Sequence, residues 1–212
     1  MCTTCGQRQA VYHRRYSGER LCLQCLRESL YHKIRRVIAR YQLLTPESNV
    51  LAVVRDGVTV DEFGMSLLLE VERDFPMVQV SFLTVVDDER PINCLHLKTA
   101  ILEAARRGIE KVVLPLTAEE TVANNLLWIS RRGGCLFLRG RLLYPDPPHE
   151  LDVVLPLYDV LGWELAAAFQ QETPRSSPTL DLVSSLEDEF PGSTYNMLRS
   201  MERLADAKGG IL

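Results

Sequence analysis

The chain has 212 residues, 46% hydrophobic and 25% charged, with a net charge of −4, which suits one ordinary soluble domain plus a small appendage. No apolar run approaches the ~18–20 residues of a membrane span, so a membrane-embedded class is excluded and no membrane partner is expected. Charge is uneven: residues 1–40 hold nine Lys or Arg against Glu19 and Glu28, a net of +7, which leaves −11 for the rest.

The first 25 residues contain Cys2-Thr-Thr-Cys5-Gly6 and Cys22-Leu-Gln-Cys25, two Cys-x-x-Cys knuckles sixteen residues apart. This spacing can bring four thiolates to the corners of one tetrahedron, the arrangement that structural zinc prefers. Two disulfides or an iron–sulfur centre are the other readings of four such cysteines. Between the knuckles, Ala10-Val11-Tyr12 and the Ser17-Gly18-Glu19-Arg20 turn predict a hairpin. With Cys2, Cys5, Cys22 and Cys25 all ligating, no position is open for a catalytic water, so the module is expected to staple or dock. Paired thiols beside isolated Cys94 and Cys135, with no signal-peptide pattern ahead of the first knuckle, give the expectation of a cytoplasmic protein.

After Cys25, apolar Leu26, Leu30, Ile34, Val37, Ile38 and Tyr41 recur at helical spacing, with Arg27, Lys33, Arg35, Arg36 and Arg40 mostly on the other faces. A basic module on an acidic body is a footprint for a phosphate-backbone partner, and Arg14, Arg15, Lys33, Arg35 and Arg36 are the candidate contacts. A solvated helix face is the competing reading.

Asn49–Val54 reads as a buried parallel strand. Thr59 and Glu62 stand as a capping box for a helix carrying Phe63, Leu67, Leu68 and Val71. Val78–Val86 is a second strand, and Cys94–Arg107 a helix closed by Gly108. Lys111–Leu116 is a third strand, and Thr117 with Glu120 caps the next helix. Gly133–Tyr144 predicts a hairpin-like excursion, Leu151–Tyr158 another strand and Gly162–Gln170 a short helix. Two tail helices follow, Leu180–Glu189 and Thr194–Ala207. The alternation predicts an α/β fold, a parallel sheet with helices on both faces behind a small four-cysteine zinc finger. The expected divisions are a metal module (1–25), a basic linker helix (26–46), the α/β domain (47–172) and a helical tail (173–212).

The order of parts resembles the tRNA 2-thiouridine synthetases of the PP-loop pyrophosphatase superfamily, in the archaeal and eukaryotic cytosolic group with an N-terminal zinc finger. The residues that carry the likeness are the two knuckles, Ser17-Gly18-Glu19-Arg20-Leu21 before the second, and Pro191-Gly192-Ser193-Thr194-Tyr195-Asn196 near the C-terminus. Pro156-Leu157 with Glu164 and Ala166 adds a further, looser match. The resemblance implies an adenine-nucleotide α-hydrolase-like sheet of the PP-loop type.

In that family the first strand runs into Ser-Gly-Gly-Lys-Asp-Ser, whose backbone amides cradle pyrophosphate. Here Val54-Arg55-Asp56-Gly57-Val58-Thr59 stands in its place. One glycine remains, the lysine is absent and Asp56 brings a carboxylate, with Thr59 kept as a helix cap. A second nucleotide signature falls on Leu114–Glu120 and keeps only Glu119-Glu120, acids that a helix N-terminus explains equally well. Of the family's three cluster cysteines, only Cys94 is matched; Pro91 and Thr173 occupy the other positions, and one thiolate does not hold a cluster. The four histidines are scattered, and Gly-x-Ser-x-Gly and Gly-x-Gly-x-x-Gly are absent.

The resemblance therefore implies a degenerate, non-catalytic paralogue with structural Zn2+. Its implied partners are tRNA, an active PP-loop paralogue in a heteromer, and a ubiquitin-like sulfur carrier. Two other classes stay open: an ATP-dependent sulfurtransferase with a divergent nucleotide loop, and a zinc-ribbon RNA adaptor unrelated to thiolation.

Overall fold

The computed structural model describes residues 1–73, 78–85, 94–130, 135–144, 151–171 and 177–207. Two short strands, β1 (Tyr12–Arg14) and β2 (Glu19–Leu21), pair antiparallel as the predicted hairpin. Helix α1 spans Leu23–Tyr41 and so begins inside the second knuckle, with Cys22 as its N-cap, rather than after Cys25. Its inner face, Leu26, Leu30, Ile34 and Val37, is fully buried in the same apolar core as the sheet. The expected linker helix is thus a core element, packed on α2 and α5.

Strand β3 (Asn49–Arg55) is followed by α2 (Thr59–Glu72), β4 (Gln79–Val85), α3 (Cys94–Arg107), β5 (Lys111–Val113) and α4 (Ala118–Ile129). The hairpin excursion is β6 (Leu136–Leu138) with β7 (Arg141–Tyr144); then come β8 (Asp152–Val154), α5 (Gly162–Phe169), α6 (Pro178–Glu189) and α7 (Ser193–Ala207). The six-stranded sheet has the order β4-β3-β5-β8-β7-β6. Its first four strands run parallel, while β7 is antiparallel to β8 and to β6.

The chain steps from β3 outward to β4, then back across β3 to β5. Right-handed crossovers then place α2 and α3 on opposite faces of the sheet. Helices α1, α2 and α5 pack together, as do α4, α6 and α7. Val50, Leu51, Ala52 and Val53 of β3 are at most 1% exposed, the continuous burial that a central parallel strand requires. The reversal between β3 and β5 is the switch point where open α/β sheets hold ligands, beyond the carboxyl ends of the strands.

Two caps behave differently. At α4, Thr117 and Glu120 form the predicted capping box, the Glu120 carboxylate accepting from the Thr117 amide at 3.2 Å. At α2 the N-cap is Val58 and Thr59 is already helical, with no side-chain cap. The Thr59–Glu62 box does not form, because Asp61 turns back instead and accepts from the Arg55 amide at 3.1 Å. At α3 the C-terminal Gly108 adopts φ +66, a left-handed conformation that glycine reaches cheaply. Pro91, the Thr173–Pro174 position, His149 and residues 131–134 and 145–150 lie outside the described residues, as does the side chain of Cys94 at the start of α3.

Candidate functional site

The four knuckle sulfurs lie within 4.8 Å of one another, with Cys5 Sγ and Cys22 Sγ 3.9 Å apart. A tetrahedral ion with sulfur about 2.3 Å away sets its ligands about 3.8 Å apart, so the set fits a metal ion and forms a four-cysteine metal-binding site. Local backbone geometry explains the closure. Gly6, at φ +66, donates to the Cys2 carbonyl at 3.0 Å and folds the first knuckle on itself. The Thr3 amide reaches the Arg20 carbonyl at 2.7 Å and lays that knuckle against β2. Cys22 and Cys25, three apart at the head of α1, share one helix face beside the positive end of its dipole. Without metal, the amide of Cys5 draws the Cys2 thiol down to about 6, while sharing with Cys22 pushes the Cys25 thiol up to about 12. Metal binding therefore displaces protons from part of the set. His13 is exposed on β1 and is not among these ligands.

At the end of β3 stands a buried, paired cation. Arg55, the last residue of β3, is fully buried, and its Nε and Nη2 bond Asp61 at 2.7 and 2.6 Å. Nη2 also lies 2.9 Å from Glu120 Oε1 on the far side of the switch point. Burial opposes the guanidinium charge, but Glu120 and Asp61 outweigh it and hold Arg55 protonated. Burial also raises the Asp61 carboxyl against the pull of Arg55. A permanent cation thus joins β3, α2 and α4 across the site where the strands end. Asp56 and Gly57 sit exposed on the following turn, Gly57 at φ +71. Thr59 is half-buried in the first helical turn. Glu119 has a separate structural role, since its carboxylate accepts from the Gly162 amide at 2.7 Å and so ties α4 to α5.

The predicted phosphate contacts separate into two groups. Arg14 is 4% exposed and donates to Glu164 at 2.6 Å and to Glu19 at 2.9 Å. Lys33 donates to Glu164 at 2.7 Å, to Tyr16 at 2.8 Å and to Tyr195 at 2.9 Å. Burial lowers the Lys33 pKa in spite of Glu164. Both cations therefore face inward onto a carboxylate. Arg15, Arg35 and Arg36 remain exposed, Arg15 with a surface bond to Asp188 at 3.0 Å.

Glu164 is the residue that sequence reading placed too low. It joins the metal-site hairpin, α1, α5 and α7 in one buried network, and Tyr16 donates to it at 3.1 Å. Its signal in the sequence was an isolated acid within Leu161-Gly-Trp-Glu-Leu-Ala-Ala-Ala, an apolar setting in which charge needs partners. The Pro191–Asn196 stretch reaches the same point. Glu187 accepts from the Thr194 amide at 2.9 Å and caps α7, which aims Tyr195 at Lys33. Two of the segments that carried the likeness, the one with Glu164 and the one with Tyr195, thus meet at Lys33. Replacing Glu164 by Gln leaves two poorly compensated cations and is expected to cost about 2 kcal/mol. A urea titration checks this; an unchanged midpoint would remove Glu164 from the role of clamp.

No protein-family model matches the sequence, and no curated protein matches it. Among solved structures the chain is similar to the U34-tRNA thiolase NcsA from Methanococcus maripaludis, a structure containing a 4Fe–4S cluster. That similarity has a TM-score of 0.71 at 16% identity and covers 97% of this chain and 87% of that one. It is a likeness of fold, over nearly the whole of both chains. Among the described residues no helix is long and apolar enough to cross a membrane.

Proposed function

We propose that this chain is a non-catalytic subunit of a tRNA 2-thiolation assembly, stapled by Zn2+ and paired with an active PP-loop paralogue. The observation that carries the reading is the buried Arg55, whose guanidinium spans Asp61 and Glu120 where a nucleotide's phosphates would need space and backbone amides. A cation already held between two carboxylates is not available to a triphosphate, and exposed Asp56 adds repulsion. The thiolase fold neighbour supports the class of reaction.

Zinc is favoured because four sulfurs this close surround one ion, whereas a cubane cluster spreads its thiolates over four irons. Within the assembly, Arg15, Arg35 and Arg36 contact tRNA phosphates. The active paralogue supplies the nucleotide loop, and a ubiquitin-like carrier delivers sulfur to it. The protein works in the cytoplasm.

Isothermal titration of the purified full chain with ATP and Mg2+ tests this, and no binding is expected at millimolar ligand. A native mass spectrum from its own cells reads metal and partner together. One zinc and a second subunit with an intact Ser-Gly-Gly-Lys-Asp-Ser loop is the expected result. Tight ATP binding by this chain alone would overturn the reading in favour of a sulfurtransferase with a divergent loop.

A further inference from the structure

Strand β4 (Gln79–Val85) forms one edge of the six-stranded sheet, and among the described residues no strand pairs with its outer side. We infer that β4 is the contact between two copies of this chain, which join antiparallel about a twofold axis at Phe82 into one continuous sheet. The inference goes beyond the proposed function and does not rest on it.

The backbone groups of the edge are self-complementary. β4 runs parallel to β3, with Gln79 opposite Asn49 and Val85 opposite Arg55. The Gln79 amide donates to the Ser48 carbonyl at 3.0 Å, and the Val85 carbonyl accepts from the Asp56 amide at 2.9 Å. In a parallel ladder alternate residues turn both backbone groups to the same side, so Gln79, Ser81, Leu83 and Val85 bond inward to β3. Val80, Phe82 and Thr84 therefore aim N–H and C=O outward, where each group needs a partner. This set is symmetric about Phe82. In an antiparallel twofold pair, Phe82 exchanges both bonds with the partner's Phe82, and Val80 exchanges both with the partner's Thr84. Every outward group of both copies is then satisfied, with none left over.

The side chains favour the same occupant. Soluble proteins blunt a long edge with charge or proline, or cover it. The opposite edge has such a cover: the Asn125 side chain of α4 accepts from the Phe137 amide of β6 at 2.7 Å and donates to its carbonyl at 2.8 Å. β4 has neither charge nor proline in its seven residues, Gln-Val-Ser-Phe-Leu-Thr-Val. A neutral strand lets a second copy of an acidic body approach without like charges meeting at the contact. The Phe82 ring is 44% exposed, and the twofold sets it beside its own copy, an aromatic cross-strand pair of the kind that stabilises sheets. Pairing through one short strand buries less than a standard interface, so a dissociation constant of about 10–100 µM is expected.

Sedimentation velocity of the full-length, metal-loaded chain, from about 1 to about 200 µM, tests the inference. The wild type is expected to pass from monomer to dimer over this range. Thr84→Pro removes an outward amide and leaves the ladder to β3 intact, a change that an edge strand tolerates; it should weaken the dimer at least about tenfold. Phe82→Glu and Phe82→Lys should each do the same alone, because like charges then face each other at the twofold. An equimolar mixture of these two variants should dimerise again, since residue 82 meets residue 82 only in this register. Metal content and the urea midpoint confirm that each variant has folded.

A wild type that stays monomeric at the highest concentration would overturn the inference. So would dimers that Thr84→Pro leaves unchanged, or a Glu–Lys mixture that stays monomeric. A monomeric wild type whose Phe82→Glu variant loses a different, co-purified subunit would assign the edge to that subunit and equally overturn the homodimer. None of these results decides the subunit reading, which stands on the ATP titration and the identity of the co-purified partner.

Discussion

Replacing Cys22 by Ser is expected to abolish metal binding and unfold the β1–β2 hairpin with the first turns of α1. The hairpin has three residue pairs and little apolar area of its own, and a two-stranded ribbon of that size is not stable alone in water. Its order comes from the ion and from the core that Cys2, Leu21 and Cys22 enter at 1–2% exposure. Structural zinc sites contribute apparent binding free energies of about 10–16 kcal/mol at neutral pH, which become folding free energy for the segment they close. Serine offers a hydroxyl that does not deprotonate to bind the ion, and it leaves three thiolates around a gap. Metal content per chain should fall to zero, and amide exchange protection should vanish over 1–25. The sheet, whose core β3 is sealed by α2 and α3, should keep its far-UV signal. Unchanged metal content would sink the ligand assignment outright.

Arg55→Met should destabilise the protein by about 3–5 kcal/mol at neutral pH, because it strands Asp61 and Glu120 as two uncompensated buried carboxylates. The loss has a definite pH signature. Without the guanidinium, burial and mutual repulsion raise the folded-state pKa values of the pair above the usual carboxylate range. A raised folded pKa means that stability is fully present below the unfolded value of about 4 and is lost as pH rises through the folded values. The gap between variant and wild type in urea midpoint should therefore be small near pH 4 and widen towards pH 7.5. A gap that stays constant with pH would show that Arg55 acts by packing alone. The variant also separates two accounts of why ATP is not bound: renewed ATP binding would make the guanidinium the sole obstacle, whereas continued failure to bind is expected because the backbone cradle is missing too.

What could be read from the sequence follows the range of the interactions involved. The four-cysteine set, the Thr117–Glu120 box and the alternation of strands and helices depend on short spacings, and they appear where those spacings put them. Thr59 shows how a local rule fails: its box was outcompeted when Asp61 found Arg55, a partner whose pull no spacing rule contains. Arg14 and Lys33 show the same limit at longer range. Both look like surface cations on a basic module, and both turn inward because Glu164 waits beneath them in a helix far along the chain. Arg55 itself was visible as a departure from the loop sequence of the family that the chain resembles. Its role as a paired cation needed Glu120 to arrive from a later crossover. Long-range charge pairing is set by the topology, and the topology had to exist before the pairs could be assigned.

The Glu164 network also sets a timetable for synthesis. Arg14 is separated from Glu164 by 150 residues, and Lys33 from Tyr195 by 162. At translation speeds of about 5–20 residues per second, the hairpin leaves the ribosome roughly 10–30 s before its seat exists. Metal can close the sulfur ring early in that interval, yet the inner face of α1 and its two cations stay unpaired until α5 and α7 follow. A nascent chain stalled before α7 would carry a loaded but undocked head, with a buried-type lysine in water and the apolar stripe of α1 open to chaperones.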